Sequence, residues 1–324
     1  MFQRRVLLKT LGASALVTAL PSQADTFPSK LVKMVPFGTA GGPIDTITRI
    51  YGEKLAQRWN QPVVVEPRPG ASGILAAGSV ARAPADGYTV MVTLPLTHIN
   101  NAILQPKLPY DAVKDFAPVT VLGIGGPMLV ARPDAPFNNV REFIEFAKKQ
   151  TRGVTYGTWG NGSGAHLYGE LLQRESGANL IHTAYKGEAA AHNDMFAGIL
   201  DVAWANPSTA RNFQQAGKMK ILGLAASRRL SFLANVPTFG EQGFKGFDVD
   251  SWIGVYAPAK TPPAIVEQWA LALREITATP EVAAKLSAFG FEPTDSSPAQ
   301  FAARQSADYP RVAALIKAAG VTAD

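Results

Sequence analysis

The segment Val154–His166 constrains the fold more than any other part of this chain. A short β-type run passes into a loop that contains Gly160, Gly162 and Gly164, and an amphipathic run begins at once with Leu167. This order predicts a strand, a glycine loop and a helix start. The first amides of a helix have no partner inside it, and the helix dipole is positive at that end. The loop is therefore expected to attract an anion.

Another loop of the same kind lies far away in the sequence, at Val35–Asp45, and is called the first glycine loop because it comes earlier in the chain. It contains Gly41 and Gly42 and separates a strand-like run, Lys30–Phe37, from a helix-like run, Asp45–Trp59. We interpret Asp45 itself as a helix-start residue that complements the dipole, because an acid repels a bound carboxylate. Two distant loops thus carry the same anion-binding pattern.

Short β-like runs alternate with helical runs along the whole chain, which predicts an α/β fold with mainly parallel sheets. Two long extended stretches, Pro118–Arg132 and Phe247–Ala257, bracket the middle of the sequence. If both are crossovers, residues 25–125 plus 252–324 form lobe 1 and residues 126–251 form lobe 2. Because α/β sheets bind ligands beyond the carboxyl ends of their strands, both glycine loops are expected to face a cleft between the lobes.

The first 24 residues have the pattern of an export signal. The positive charges are Arg4, Arg5 and Lys9, the apolar region is Leu11–Leu20, and Ser22 and Ala24 suit cleavage before Asp25. The apolar region is too short for a membrane anchor. The two arginines resemble a twin-arginine signal, so the Sec and twin-arginine routes both stay open. The sequence therefore predicts a periplasmic protein.

Composition excludes several classes of protein. Hydrophobic residues make up 47% of the chain and charged residues 17%, which is typical of a globular protein. Cleavage of the signal removes three cations and lowers the net charge from +6 to +3. Such a charge suits neither a nucleic-acid binder nor a membrane-surface protein. The chain has no cysteine, which removes disulfides, thiol nucleophiles and a lipid attachment site.

Enzyme motifs are missing from the sequence. No Gly-x-Ser-x-Gly elbow or Walker loop occurs, and the four histidines lack metal-ligand spacing. We therefore predict no catalytic residues, no metal and no cofactor. One alternative remains, a nucleotide-binding oxidoreductase, because Gly160–Ala165 fits Gly-x-Gly-x-x-Ala. The next strand should then end in an acid that holds the ribose, but it ends in Tyr185 and Lys186.

Many ordered segments together resemble one family, the Bug-type periplasmic solute receptors of tripartite tricarboxylate transporters. They run from about Phe27 to Asp324 and include Val35-Pro-Phe37 with Gly41-Gly42, Arg68-Pro-Gly70, Asp86-Gly-Tyr88, Thr97-His98, Leu108-Pro-Tyr-Asp111, Gly160-Asn-Gly162, Tyr185-Lys-Gly187, Val236-Pro-Thr238 and Ser251-Trp252. The resemblance implies a type II periplasmic-binding-protein fold. It also implies a monomer that closes on a carboxylate, with backbone amides and water as donors, and passes it to a membrane permease.

Two departures from the family pattern bear on the ligand. Three residues separate Phe37 from Gly41 where the family usually has two. The family's aromatic–Asp–Asn triplet reads Trp204-Ala205-Asn206 here, so a carboxylate that could meet a ligand amino group is lost. A plain carboxylic acid is therefore expected rather than an amino acid.

The predicted binding residues lie on the glycine loops and at the ends of the neighbouring strands. They are Phe37, Gly41, Gly42, Thr97, Trp159, Gly162, Ser163, Gly164, Ala165, Tyr185, Lys186, Gly187, Trp204 and Asn206. Thr97 follows a strand and could donate to a ligand oxygen, whereas His98 is interpreted as a structural histidine. The bulky Trp159 stands where the family more often has a small residue, so it narrows the pocket and favours an aromatic or hydrophobic carboxylate.

Overall fold

The computed structural model describes residues 27–105 and 107–321. The predicted export signal over residues 1–24 lies outside the described residues. Within the described parts of the chain, no helix is both long and apolar enough to cross a membrane.

The first of two sheets has six strands in the order β11-β4-β10-β3-β1-β2. Its strands are β1 Val32–Pro36, β2 Val63–Val65, β3 Thr89–Thr93, β4 Phe116–Gly125, β10 Ser251–Pro258 and β11 Glu292–Pro293. The helices that precede and follow them are α1 Pro43–Trp59, α2 Ile74–Ala81, α3 Asn101–Leu104, α8 Pro263–Thr277, α9 Pro280–Ala288 and α10 Pro298–Ala319.

The second sheet has five strands in the order β7-β6-β8-β5-β9. Its strands are β5 Met128–Ala131, β6 Val154–Thr158, β7 Leu180–Ala184, β8 Val202–Ala205 and β9 Lys220–Leu224. The helices of this part are α4 Val140–Lys148, α5 Gly164–Ser176, α6 Glu188–Phe196 and α7 Pro207–Gln215.

Both sheets are mixed, and most strands of each run in one direction, in agreement with the predicted α/β fold. Strand β10 lies between β4 and β3 and pairs antiparallel with both, and β5 does the same between β8 and β9. The parallel pairs β1–β2, β1–β3, β6–β7 and β6–β8 come from βα units. Strands β5 and β10 are where the chain enters each sheet from the other, so they run against those units.

Local sequence explains the helix ends. The Asn139 side chain accepts a hydrogen bond from the amide of Glu142 at the start of α4, whose buried face is Val140, Phe143, Ile144 and Ala147. Helix α10 begins with a capping box between Ser297 and Gln300 and ends at Gly320, whose φ of 64° is left-handed. The helix continues through Pro310, a residue type that removes one helical hydrogen bond.

The C-terminal helix α10 contacts both halves of the structure. Helix α10 packs against β4 of the first sheet and against α5 beside the second. Arg304 and Arg311 on α10 pair with Asp250 and Asp248, just before β10. The C-terminal helix therefore ties the two sheets together. The lobe boundaries drawn from the sequence remain our proposal for how the chain divides.

Candidate functional site

A cleft of about 590 Å³ opens between the two sheets. It is lined by Ser72, Leu94–Leu96, Asn100, Asn101, Leu104, Gln105, Gly125–Pro127, Trp159, Asn161–Gly164, Leu167, Tyr168, Asn206, Pro207, Val249–Ser251, Phe289–Phe291, Val312 and Leu315. The two sides approach closely at the rim, where a Cβ added to Gly290 would lie 2.9 Å from the Ser208 amide nitrogen. Its size is in the range of small-molecule sites.

The second glycine loop, residues 160–164, forms one wall of the cleft. Gly160 and Gly162 have φ values of 130° and 69°, which only glycine adopts without strain. The Ser163 hydroxyl donates to the Gly160 carbonyl at 2.7 Å and accepts from the His166 amide at 3.3 Å, so it caps α5.

The amides at the start of α5 fall into two groups, with and without an acceptor. The Gly162 amide donates to Nδ1 of His166 at 3.1 Å. The Ser163 amide donates to the Gly160 carbonyl at 3.3 Å, whereas the amides of Gly164, which lines the cleft, and Ala165, which is fully buried, find no acceptor among the described residues. No acidic side chain stands in the first turn of α5. Unpartnered amides at the positive end of a helix dipole are suited to a carboxylate.

The first glycine loop, residues 38–42, is not among the cleft-lining residues. Its Gly41 amide donates to the Asp45 carboxylate at 2.8 Å, and its Gly42 amide donates to the Thr39 carbonyl at 3.0 Å. Asp45 also accepts from Arg49 at 2.9 Å. Burial by itself raises the pKa of Asp45, but these donors outweigh it and the pKa is lowered. The loop therefore contributes no free glycine amide to the cleft.

Three residues beside the cleft make their contacts within the protein: Phe37, Thr97 and His98. Phe37 packs against two buried hydrophobic clusters, one within the first sheet and its helices and one that extends into the second sheet. The buried Thr97 hydroxyl lies 2.7 Å from the Thr93 hydroxyl and 2.7 Å from Nδ1 of His98. His98 stacks on Tyr256 at 3.9 Å, and burial lowers its pKa to about 3. These contacts agree with a structural histidine, and the Thr97 hydroxyl is already engaged.

The segment Tyr185–Gly187 is not among the residues that line the cleft. The Tyr185 hydroxyl donates to Asp194 at 2.6 Å, and burial together with that carboxylate raises its pKa to about 12. Lys186 is exposed to solvent, and Gly187, with a φ of 108°, caps α6. Tyr185 adjoins the second glycine loop, since its amide donates to the Thr158 carbonyl at 3.0 Å and a Cβ added to Gly160 would lie 3.8 Å from its carbonyl oxygen.

Trp159 and Trp204, the two tryptophans predicted to bind ligand, differ in their relation to the cleft. Trp159 is half-buried and lines the cleft. Trp204 is fully buried and stacks on Phe239 at 5.6 Å, beside Tyr168, so it supports the cleft floor without lining it. Asn206 lines the cleft, but its backbone and side-chain N–H groups both donate to Glu188.

Several lining residues were not predicted from the sequence. The largest group is the segment 94–105, in which a π-helical turn, Leu96–Asn100, leads into α3. It follows the carboxyl end of β3, and that position was the available signal. The loop at Phe289–Phe291 and the α10 residues Val312 and Leu315 had no comparable signal.

Charge in the cleft is limited to one buried carboxylate among the described lining residues. Asp250 accepts from the Ser227 amide and hydroxyl, both at 2.8 Å, and from Arg304 at 3.3 Å. No lysine or arginine stands among the lining residues that the structure describes. No cluster of three or more metal-ligating side chains occurs within the described ranges either. A ligand must therefore be held by neutral donors.

Comparison with known proteins gives the same picture. The model of the tripartite tricarboxylate transporter family receptor matches residues 47–321. BugT of Bordetella pertussis is 28% identical over 296 residues, which cover 91% of this chain and 89% of BugT. An R. palustris protein solved with adipate is 30% identical, with a TM-score of 0.78 over 91% of this chain and 99% of that one. MatC from Rhodopseudomonas palustris with bound malate is 31% identical, with a TM-score of 0.73 over 90% and 100%.

These matches extend over nearly the whole described chain and include the second glycine loop.

The alternative of a nucleotide-binding protein lacks one required residue. Strand β7 ends at Ala184 and is followed by Tyr185 and Lys186, so the acid that a dinucleotide ribose requires is missing at that point. The matching fold is that of periplasmic binding proteins, whose work is binding and not catalysis. The chain belongs to the tripartite tricarboxylate transporter receptor family.

Proposed function

We propose that this protein captures a small organic carboxylate with an aromatic or otherwise hydrophobic body and delivers it to the permease of a tripartite tricarboxylate-type transporter. The observation that carries the proposal is the unpartnered amide of Gly164 in the cleft wall, followed by that of the buried Ala165, next to Trp159 and the apolar side chains of the cleft. The rest of the cleft supports this assignment in two ways, one for each end of the ligand.

The carboxylate end of the ligand binds at the start of α5. The amides of Gly164 and Ala165 and the dipole of a thirteen-residue helix favour negative charge there. Backbone donors are already fixed in place, so binding does not require ordering a long cationic side chain. A neutral donor set also avoids burying a protein charge when the cleft is empty. Two relatives, solved with adipate and with malate, hold molecules of the carboxylate class.

The body of the ligand binds against apolar walls. Leu94, Leu104 and Leu167 contribute aliphatic surface, and Phe289 and Phe291 contribute aromatic surface from the first sheet. Trp159 lies on the same wall as the glycine loop, three residues before Gly162, where it can stack on a planar group. Polar side chains, among them Asn100, Asn101 and Gln105, also line the cleft, so burial of an apolar body supplies one part of the affinity and hydrogen bonds supply the other.

Delivery follows from the family and from the two-sided cleft. Residues from both sheets line the cleft, so a bound ligand contacts both sides at once. A ligand with higher affinity for the closed arrangement shifts the population towards it. We propose that the exported chain works in the periplasm as a monomer and that the permease recognises the closed form.

A thermal-shift panel tests the proposal. The protein without residues 1–24 is incubated with benzoate, phenylacetate, adipate, malate, citrate and glutamate. We expect the aromatic acids to give the largest shift, since a ligand at a hundredfold its Kd stabilises by about 2.7 kcal/mol. Stabilisation by malate or citrate alone would contradict the hydrophobic body, and stabilisation by none of the acids would contradict carboxylate capture.

A further inference from the structure

Two stacked histidines lie directly behind the second glycine loop. The rings of His166 on α5 and His182 on β7 are 3.9 Å apart with an angle of 11° between their planes. Both rings are partly buried. Among the described residues, no other aromatic ring lies as close to either of them as they lie to each other. Nothing in the family match or in the proposed ligand contacts requires such a pair.

Each histidine holds one amide of the loop. Nδ1 of His166 accepts directly from the Gly162 amide at 3.1 Å. His182 acts through Thr158, whose hydroxyl lies 2.7 Å from Nε2 of His182 and accepts from the Gly160 amide at 3.3 Å. The stacked pair therefore sets the backbone of the loop at two of its three glycines.

The contact with Gly162 requires a neutral His166. A ring nitrogen that accepts a hydrogen bond carries no proton, so the proton of neutral His166 resides on Nε2. That nitrogen lies 3.8 Å from Oε1 of Glu170. Protonation at Nδ1 would place two N–H groups against each other at Gly162, while the new charge would be attracted towards Glu170. The ring thus has a reason to leave Gly162 when it becomes charged.

The other charged and titratable groups around the pair are accounted for. Tyr156 on β6 donates to Glu170 at 2.5 Å, and its ring lies 5.1 Å from that of His182. Helix α10 also packs against α5, but its Arg304 and Arg311 pair with Asp250 and Asp248. Glu170 is therefore the one carboxylate that faces the pair among the described residues.

We propose that His166 is a positioning residue of the binding loop, and that protonation of His166 releases Gly162 and weakens carboxylate capture in mild acid. Burial and the neighbouring His166 lower the pKa of His182 to about 4, and burial lowers the pKa of His166 against the pull of Glu170. The loop is therefore held at neutral pH. The weakening of capture rests on the proposed function, whereas the movement of the loop does not.

The first test needs no ligand. Amide spectra of ¹⁵N-labelled protein are recorded from about pH 7.5 to about pH 5. We expect the Gly162 signal to move with the titration of His166. In His166→Asn the amide oxygen replaces Nδ1 as acceptor, so the signal should stay near its neutral position at every pH. His166→Leu should displace it at every pH. A Gly162 signal that ignores the titration in the unaltered protein overturns the proposal, even if His166→Leu fails to fold.

The second test measures benzoate affinity by calorimetry over the same range. We expect about a fivefold loss between about pH 7.5 and about pH 5 in the unaltered protein and a flat profile in His166→Asn. Equal pH dependence in the two proteins overturns the proposal. Failure of benzoate to bind at every pH counts against the proposed function alone, and the amide spectra then decide whether the loop is held as inferred.

Discussion

Each glycine loop places a left-handed glycine two residues before a helix, and the amide of that glycine donates to the side chain four residues on. In the first loop the glycine is Gly41, with a φ of 77°, and the acceptor is the carboxylate of Asp45. In the second loop the glycine is Gly162, with a φ of 69°, and the acceptor is the imidazole of His166. The geometry is shared, and the charge of the acceptor differs.

That difference decides which loop can hold an external anion. Asp45 already supplies a negative charge to the start of α1, and Pro43 at the first helical position removes one donor. The start of α5 has a neutral acceptor and keeps the amides of Gly164 and Ala165 free. A glycine loop before a helix is thus an anion site only where the protein has not filled it with its own acid.

The largest expected effect comes from making the second loop like the first. His166→Asp would place a carboxylate at the start of α5, where it accepts from Gly162 and repels the ligand. We expect the affinity for benzoate to fall at least about 100-fold, which corresponds to about 2.7 kcal/mol. Isothermal titration calorimetry at neutral pH measures the change.

Two controls accompany this substitution. His166→Asn keeps an uncharged acceptor, so it should retain affinity within about twofold. Asp45→Asn removes the acid from the first loop, which lies outside the cleft, and should leave affinity unchanged while it lowers stability through loss of the charged partner of Arg49. Equal loss of affinity in His166→Asp and Asp45→Asn would show that the two loops do not differ in the way described.

A smaller effect is expected from the wall next to the second loop. Trp159→Ala removes the ring proposed to stack on the ligand and should lower the affinity for aromatic carboxylates about 10-fold, with a smaller change for malate. Trp159→Phe keeps an aromatic surface and should recover most of the loss. Trp59→Phe, in the first-sheet core, is the matched control. A uniform loss for aromatic and aliphatic acids would indicate a packing role for Trp159.

The smallest expected effect is that the two glycine loops become mobile at different pH values as the solution is made acidic. A histidine whose pKa is lowered in the native state makes its full contribution to the free energy of unfolding above about pH 6.5, the pKa of histidine in the unfolded chain. This contribution is lost as the pH falls from that value towards the native pKa. For His182 that range ends at about 4. Asp45, whose pKa is also lowered, keeps its contribution until the pH falls below its unfolded value of about 3.9. The second loop should therefore loosen first.

Hydrogen exchange followed by mass spectrometry can measure this order. Peptides that contain residues 160–166 should gain exchange between about pH 6.5 and about pH 4, after correction for the intrinsic rate, while peptides that contain residues 38–45 should not. Simultaneous loosening of both loops would indicate that acid acts on the whole molecule and not through the two acceptors.

The part of the second sheet around its glycine loop follows from local pattern. The strand at Val154 and the helix start near Gly164 lie close to their predicted positions, because glycine spacing, the Ser163 cap and the apolar face act within one turn of chain. The prediction for the first loop rested on the same local pattern. It missed that Asp45 reaches back to the Gly41 amide, although an acid four residues after the glycine was visible in the sequence.

The first-sheet side of the cleft was harder to predict. The segment from Leu94 to Gln105 contains a π-helical turn that has no clear periodic pattern, so Asn100 and Asn101 were not recognised as lining residues. Val312 and Leu315 reach the cleft only because α10 packs across both sheets. Such contacts join residues far apart in the chain, and local propensity carries no information about them.

The sequence by itself determined the alternation of strands and helices, the two glycine loops, the resemblance to transport receptors and the lack of enzyme motifs. These features depend on the spacing of neighbouring residues and on residue types. Only the tertiary structure decided which loop is free, which tryptophan reaches the cleft and which histidines stack behind Gly162. Whether an amide is available depends on which acceptor the folded chain brings within hydrogen-bond distance, and that is a property of packing.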